Sequence, residues 1–136
     1  MEIKTTEQAK NEDWDVCVYG LGYLGKRLYN DIPEIFGLRA RYYCDGDNAK
    51  VMSVNLPGII GIYKETLLKT KSPTIVFILV DDPYDIEIQE MLSLNHNLYT
   101  ITLREMVQME NVIRLFYGDN LFAKFLRLPN YRYDRG

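Results

Sequence analysis

Three glycines in the first quarter of the chain, Gly20, Gly22 and Gly25, have the spacing G-x-G-x-x-G. In a turn between a strand and a helix, the first glycine permits a tight turn and the second lets a diphosphate approach the backbone. The third lets the helix pack closely on the strand. The N–H groups at the start of such a helix favour an anion. The candidate phosphate-binding turn comprises Gly20, Leu21, Gly22, Tyr23, Leu24 and Gly25.

Two aspartates are candidates to complete this site. Asp45 ends the next predicted strand, twenty residues beyond the last glycine, where a carboxylate accepts hydrogen bonds from both hydroxyls of an adenosine ribose. Because the carboxylate would repel a 2′-phosphate, Asp45 favours an unphosphorylated ribose, although Arg39 and Arg41 keep the phosphorylated form open. Asp81 follows a later strand and could meet a ribose or sugar hydroxyl, whereas the adjacent Asp82 is expected to cap the following helix.

Apolar runs bounded by turn residues predict the strands that position these groups. The predicted strands are Val16–Tyr19, Ala40–Cys44, Thr74–Val80 and Leu98–Ile101, with Ile59–Tyr63 as a candidate fifth. The run from Thr74 is apolar on both faces, which is typical of a central strand in a parallel sheet. Alternating strands and helices predict an α/β fold: a single doubly wound Rossmann-like domain with a five-strand, mostly parallel sheet and a C-terminal helical extension.

Apolar residues at helical spacing predict the helix that follows the glycine turn. Its inner face carries Leu21, Leu24, Leu28 and Ile32, a stripe that would pack against the sheet. Pro33 comes next and is expected to end or kink this helix, because a residue before proline avoids the α region. A further short helix is predicted over Lys64–Thr70.

Capping residues predict two more helices. Asp82 is expected at the N-cap and Pro83 at the first helical position, where the missing N–H costs nothing. The inner face of this helix would carry Tyr84, Ile88, Met91 and Leu92. Thr102 and Glu105 have the spacing of a capping box, which would start a helix that ends near Tyr117.

Composition divides the chain into three predicted parts. Residues 1–13 are polar and predict an arm or a short helix, and residues 14–118 form the Rossmann-like domain. Residues 119–136 form a basic-aromatic extension, in which Phe122, Lys124, Phe125, Arg127, Tyr131, Arg132, Tyr133 and Arg135 interleave rings and cations. The extension could dock on an acidic partner or cover a dimer surface.

Charge and apolar content exclude several classes of protein. A formal net charge of −3 gives no general reason to expect a nucleic-acid partner. The longest strongly apolar run, Ile75–Val80, is far shorter than the roughly 20 residues of a membrane helix. The N-terminus has no hydrophobic signal region, so a cytoplasmic location is expected.

Cys17 and Cys44 lie in predicted strands and are expected to be buried and reduced. His96 is the only histidine, and no metal site is predicted.

The segment Val18–Leu28, with Asp45 and Gly58–Ile62, resembles two groups of Rossmann-type domains. One is the NAD(H)-binding core of redox-sensing repressors. The other is the Rossmann-like N-terminal module of FkbM-type methyltransferases, sugar-nucleotide acetyltransferases and other proteins that modify bacterial surface sugars. The resemblance covers about residues 14–105 and implies NAD(H) or a nucleotide-sugar as ligand, with CoA as a further candidate. The chain departs from both groups, because it contains neither a DNA-binding domain nor the catalytic domains of the sugar-modifying proteins.

Three functions are compatible with this pattern. The leading hypothesis is a nucleotide-binding module for NAD(H) or a nucleotide-sugar, which acts as a homodimer or with a separate catalytic partner. The resemblance implies a role in bacterial surface-sugar metabolism. One alternative is a Rossmann scaffold without a ligand that serves protein interaction or oligomerisation. The other is a small sugar-nucleotide oxidoreductase or epimerase, although the chain contains no Tyr-x-x-x-Lys, G-x-S-x-G or H-E-x-x-H motif.

Overall fold

Five strands form one sheet in a computed structural model that describes residues 3–106. The strands are β1 (Asp15–Tyr19), β2 (Tyr42–Cys44), β3 (Ile60–Gly61), β4 (Thr74–Ile78) and β5 (Leu98–Thr102). Every pairing is parallel, and the order across the sheet is β3-β2-β1-β4-β5. This order confirms the predicted doubly wound α/β domain, with a sheet that is entirely rather than mostly parallel. β2 and β3 lie on one side of β1, and β4 and β5 lie on the other, so the strand order reverses between β1 and β4.

Seven helices or helical turns connect or flank the described strands. They are α1 (Ile3–Asn11), α2 (Tyr23–Leu28), α3 (Asp31–Ile35), α4 (Asn48–Ser53), α5 (Lys64–Leu68), α6 (Tyr84–Leu92) and α7 (Leu103–Met106). Of the two alternatives for residues 1–13, the structure shows a helix, and Ala9 of α1 is buried in the core. No helix within residues 3–106 is both long and apolar enough to cross a membrane. The predicted helix to Tyr117 ends outside the described residues, where the 119–136 extension also lies.

The sheet is buried on both faces, as the apolar run of β4 predicts. Alternate residues of β1 and β4 enter two separate clusters, so that Val18 and Phe77 pack on one face while Cys17 and Val76 pack on the other. The first face is covered by apolar residues of α1 to α4, namely Ala9, Leu24, Leu28, Ile32 and Val51. The second is covered by α5 and α6 through Leu67 and Leu92. The result is a three-layer arrangement.

The predicted helix from Leu21 to Ile32 is broken between α2 and α3, which agrees with the kink expected from Pro33. Pro33 explains the position of the break: it has no N–H for the carbonyl of Tyr29, four residues earlier, and its ring crowds that carbonyl. Pro33 lies instead in the first turn of α3, where N–H groups have no partner within the helix. The predicted inner face is confirmed, since Leu24, Leu28 and Ile32 are all buried.

The predicted start of α6 at Asp82 and Pro83 is wrong. Pro83 occupies the N-cap position after a cis Asp82–Pro83 peptide bond, and α6 begins at Tyr84. The first turn is closed by Asp81, whose carbonyl oxygen accepts the N–H of Asp85 at 3.2 Å. Of the predicted inner face, Leu92 is buried and Ile88 and Met91 pack against the core. Tyr84 is exposed instead, and the adjacent Asp85 is buried.

Candidate functional site

The carboxyl ends of three strands bring the predicted site together. In the sheet register, Tyr19 at the end of β1 is aligned with Cys44 of β2 and with Ile78 of β4. The loops that follow these strands therefore start at one edge of the sheet. Between them lies a cleft of about 270 Å³, here called the glycine cleft. It is lined by Gly20, Gly22, Tyr23, Leu24, Asp45, Lys50, Leu79, Val80 and Asp81.

Six of the eight residues predicted for the site line the glycine cleft: Gly20, Gly22, Tyr23, Leu24, Asp45 and Asp81. The other two, Leu21 and Gly25, do not line it and have structural roles. The side chain of Leu21 is buried in the core, while its N–H forms part of the turn. Gly25 lies directly against the backbone of Gly20. The first and third glycines of the motif thus shape the turn.

The second glycine, Gly22, is required neither by backbone conformation nor by packing. Its φ of −79° and ψ of −161° are extended values that other residues adopt. A Cβ added at Gly22 would meet no atom within 4 Å. The space in front of Gly22 belongs to the glycine cleft, so a side chain there would occupy volume that a bound molecule could use.

The carboxylate of Asp45 braces the glycine turn. Its Oδ2 accepts the N–H of Leu21 at 2.7 Å, and its Oδ1 accepts the N–H of Asp47 at 2.8 Å. The prediction that Asp45 accepts ribose hydroxyls stays a prediction, because an ionised carboxylate has about four acceptor positions and can take further hydrogen bonds. The contact between Asp45 and Leu21 joins the end of β2 to the turn after β1, and no local sequence pattern indicates it.

Asp45→Asn is expected to lower the free energy of unfolding by about 1–2 kcal/mol. The amide has one oxygen in place of two, so one of the two backbone N–H groups loses its acceptor and carries a desolvation cost. Urea denaturation of the variant and the parent protein measures this difference. Asp31→Asn serves as the control, because the half-exposed Asp31 pairs with the surface residue Arg27. An equally small effect at both positions would contradict the bracing role.

Asp81 and Lys50 are two further charged residues that line the cleft. Asp81 follows β4, and its Oδ1 accepts the N–H of Asp82 at 3.0 Å, which holds the carboxylate at the cleft. Lys50 lies on α4 and was not among the predicted site residues. Residues 49–63 showed no clear periodicity, and only the position of Lys50 shortly after Asp45 could have suggested it.

An ion pair between Asp85 and Arg104 joins α6 and α7. Arg104 of α7 binds Asp85 of α6 through two hydrogen bonds, Nε to Oδ2 at 2.9 Å and Nη2 to Oδ1 at 3.1 Å. Hydrogen bonding to Asp85 raises the pKa of Arg104.

The predicted capping box is confirmed, since Glu105 accepts the N–H of Thr102 at 3.1 Å and Thr102 Oγ1 accepts the N–H of Glu105 at 3.2 Å.

The cysteines are buried and free, as expected. Burial raises the pKa of Cys17 well above its usual value and raises the pKa of Cys44 to about 12. Burial likewise raises the pKa of Tyr19, whose ring lies below the turn of Asp45. These groups are therefore neutral near pH 7, and neither thiol supplies a reactive thiolate there.

A larger depression, of about 470 Å³, lies at the opposite edge of the sheet beside His96. It is formed by the loops that precede β4 and β5. The amide of Asn95 binds the carbonyl oxygens of Leu68 and Thr70, each at 3.0 Å, so this polar side chain holds the two loops together. Among residues 3–106, no three His, Cys, Asp or Glu side chains are grouped so that they could hold a metal ion.

No protein-family model, curated protein or solved structure shows significant similarity to this chain. The fold is Rossmann-like in its strand order and in the position of its glycine turn. The function of the glycine cleft must therefore be inferred from its own geometry.

Proposed function

We propose that the glycine cleft binds a nucleotide through its diphosphate, with NAD(H) or a nucleotide-sugar as the ligand. The observation that carries this proposal is the open space at Gly22, where neither the backbone angles nor neighbouring atoms require glycine. In contrast, Gly20 has a positive φ and lies against Val80 and Leu79, and Gly25 lies against the backbone of Gly20. A ligand that must approach the main chain closely supplies the missing reason for a glycine at this position.

The position of the cleft in the sheet supports the same proposal. In doubly wound α/β proteins, ligands bind outside the carboxyl ends of the strands, where the strand order reverses. Here the reversal falls between β1 and β4, and residues that follow both strands line the cleft. Its volume of about 270 Å³ is near the lower limit of roughly 300–1,000 Å³ for ligand pockets, so a dinucleotide would extend beyond it.

Each lining group has a definite part in the proposed complex. The diphosphate lies over Gly22, next to the first N–H groups of α2, for which Gly22 supplies no side-chain cap. Asp45 holds the turn in shape and presents its remaining acceptor positions to the nearer ribose. Asp81 lines the cleft after β4, where its carboxylate would meet hydroxyls of the second half of the ligand. CoA, which carries the same adenosine diphosphate unit, is the further candidate.

Thermal unfolding in the presence of separate nucleotides tests the proposal. A ligand that binds only the folded protein stabilises it by about 2.7 kcal/mol at a hundred times its Kd. We expect the Tm to rise with NAD⁺, NADH, UDP-glucose or CoA at millimolar concentration, and not with adenine alone. No shift with any of the four would contradict nucleotide binding.

Gly22→Val is expected to abolish the ligand-induced shift and to leave the fold intact. The valine methyl groups would fill the space that the diphosphate needs, while the extended backbone at this position suits a β-branched residue. We expect a loss of affinity of at least about tenfold by calorimetry, equivalent to about 1.4 kcal/mol. Gly22→Ala is the smaller control, and unchanged nucleotide affinity in both variants would contradict the proposed diphosphate position.

A scaffold without a ligand is the second candidate, and one contact favours it. The bond from Leu21 N–H to Asp45 satisfies one donor of the turn internally, so the turn is held in shape without a bound anion. This candidate predicts that Gly22→Val changes neither stability nor any nucleotide response. The same two measurements therefore distinguish the two functions.

A further inference from the structure

Strand β3 forms one edge of the sheet, and its backbone has hydrogen-bonding groups that do not face β2. The N–H of Ile60 donates to the carbonyl of Arg41, and the N–H of Ile62 donates to the carbonyl of Tyr43, each at 2.9 Å. Because the backbone groups of successive strand residues point to opposite sides, the N–H and C=O of Gly61 point away from β2. The edge therefore presents one donor and one acceptor on the same residue.

The same edge is apolar and carries no charge. Residues 51–63 contain no Asp, Glu, Lys or Arg, and within this stretch Met52, Ile60 and Tyr63 are 74%, 58% and 40% exposed. Natural edge strands are commonly protected from pairing by charged side chains or by proline. Neither occurs within residues 58–63. Two copies of this edge can therefore approach each other without repulsion between like charges.

The backbone of β3 is held in position by the neighbouring strand. A Cβ added at Gly61 would lie 2.8 Å from the ring of Tyr43, and the hydroxyl of Tyr43 donates to the carbonyl of Val54 at 2.7 Å. The edge is thus already ordered, which lowers the entropy lost when another strand pairs with it.

We propose that β3 is a homodimer interface, in which two copies of the chain pair their β3 strands antiparallel about a twofold axis at Gly61. In this register the two Gly61 residues exchange both hydrogen bonds, as a hydrogen-bonded antiparallel pair requires. Ile60 lies opposite Ile62 of the second copy, and Tyr63 lies opposite Ile59. Within the described residues the N–H of Tyr63 has no acceptor, and the register directs it to the carbonyl of the second copy's Ile59.

Self-complementarity favours a second copy over an unrelated extended peptide. Each group that the edge offers finds its partner in the same segment of the other copy, and such an isologous contact closes at two chains. The two sheets then join into one continuous sheet. The contact is short beside the 1,200–2,000 Å² of total surface in a standard interface, so we expect a dissociation constant of roughly micromolar or weaker.

Analytical ultracentrifugation of the full chain over a series of concentrations tests this inference. We expect the mass to rise from 15.9 kDa towards twice that value and to stop there. A chain that stays monomeric up to about 1 mM, or that grows beyond two copies, would overturn the inference. Gly22→Val should dimerise as the parent protein does, so failure of the dimer and failure of nucleotide binding are separate results.

Two substitutions at the edge locate the interface. Ile60→Lys places a charge beside the axis in both copies and should weaken association at least about tenfold. Leu94→Lys makes the same change at a side chain that is 82% exposed in the loop before β5, and it should associate as the parent protein does.

Tyr63→Pro removes the backbone donor at a φ of −77°, which proline adopts, whereas Tyr63→Ala removes the ring and keeps the N–H. We expect Tyr63→Pro to associate more weakly than Tyr63→Ala. Circular dichroism of each variant checks that the fold is retained. Association as strong as that of the parent protein in a folded Ile60→Lys or Tyr63→Pro variant would overturn the proposed interface.

Discussion

Gly25→Ala is expected to lower the free energy of unfolding by more than about 3 kcal/mol. An added Cβ would lie 1.7 Å from the carbonyl oxygen of Gly20 and 2.6 Å from its carbonyl carbon. Both are backbone atoms, so relief requires α2 to move away from the end of β1. Helix propensity has the opposite sign, because replacing a helical glycine by alanine normally stabilises by about 1 kcal/mol. Steric overlap at 1.7 Å outweighs that gain.

Urea denaturation of Gly25→Ala and Gly22→Ala separates the cost of steric overlap from the effect of helix propensity. The two positions belong to the same turn, but a Cβ at Gly22 meets nothing within 4 Å, and its loss of stability should stay within about 1 kcal/mol. If Gly25→Ala were as stable as the parent protein, the close approach of α2 to Gly20 would be incorrect. A soluble but partly unfolded Gly25→Ala variant would agree with the expectation.

The second large effect is expected at the buried ion pair of Asp85 and Arg104. Their side chains are 2% and 15% exposed, so removal of one charge leaves the other with little water to solvate it. Asp85→Asn keeps the size of the side chain and removes its charge. We expect a loss of about 3–5 kcal/mol in the free energy of unfolding, as for other broken buried pairs.

A surface pair supplies the control for this prediction. Arg41 and Asp15 are 3.2 Å apart, and the arginine side chain is 64% exposed, so Arg41→Gln should cost less than about 1 kcal/mol. The double variant Asp85→Leu with Arg104→Met should recover much of the stability that Asp85→Asn loses, because it leaves no buried charge unpaired. Similar losses for Asp85→Asn and Arg41→Gln would show that the buried pair has no special role.

The elements that depend on short-range patterns were predictable. The apolar run of β4, the glycine turn after β1 and the capping box of Thr102 and Glu105 each follow from residues adjacent in sequence, and each is confirmed. The errors arose where a distant contact decided the outcome. Asp85 was not expected to be buried, because its partner Arg104 is nineteen residues away and no local pattern indicates the pair.

For the candidate site, sequence spacing identified most of the lining residues but not their interactions. The G-x-G-x-x-G spacing indicates Gly20 and Gly22, and the positions of Asp45 and Asp81 after predicted strands indicate these two acids, because parallel strands end at one edge of the sheet. The contact of Asp45 with Leu21 depends on the register in which β2 pairs with β1, and this register cannot be predicted from the sequence. Lys50 was missed because no periodic pattern indicated the helix that places it at the cleft.

Residue types and local spacing are sufficient to predict the α/β class, the glycine turn and the apolar residues that face the core. Which polar groups meet is evident only from the folded structure. It showed that Asp45 binds the turn, that Lys50 lies at the cleft, and that Gly25 touches the backbone while Gly22 stays open. The physical reason is that strand register and helix placement come from packing over the whole core, and hydrogen bonds act only over about 3 Å.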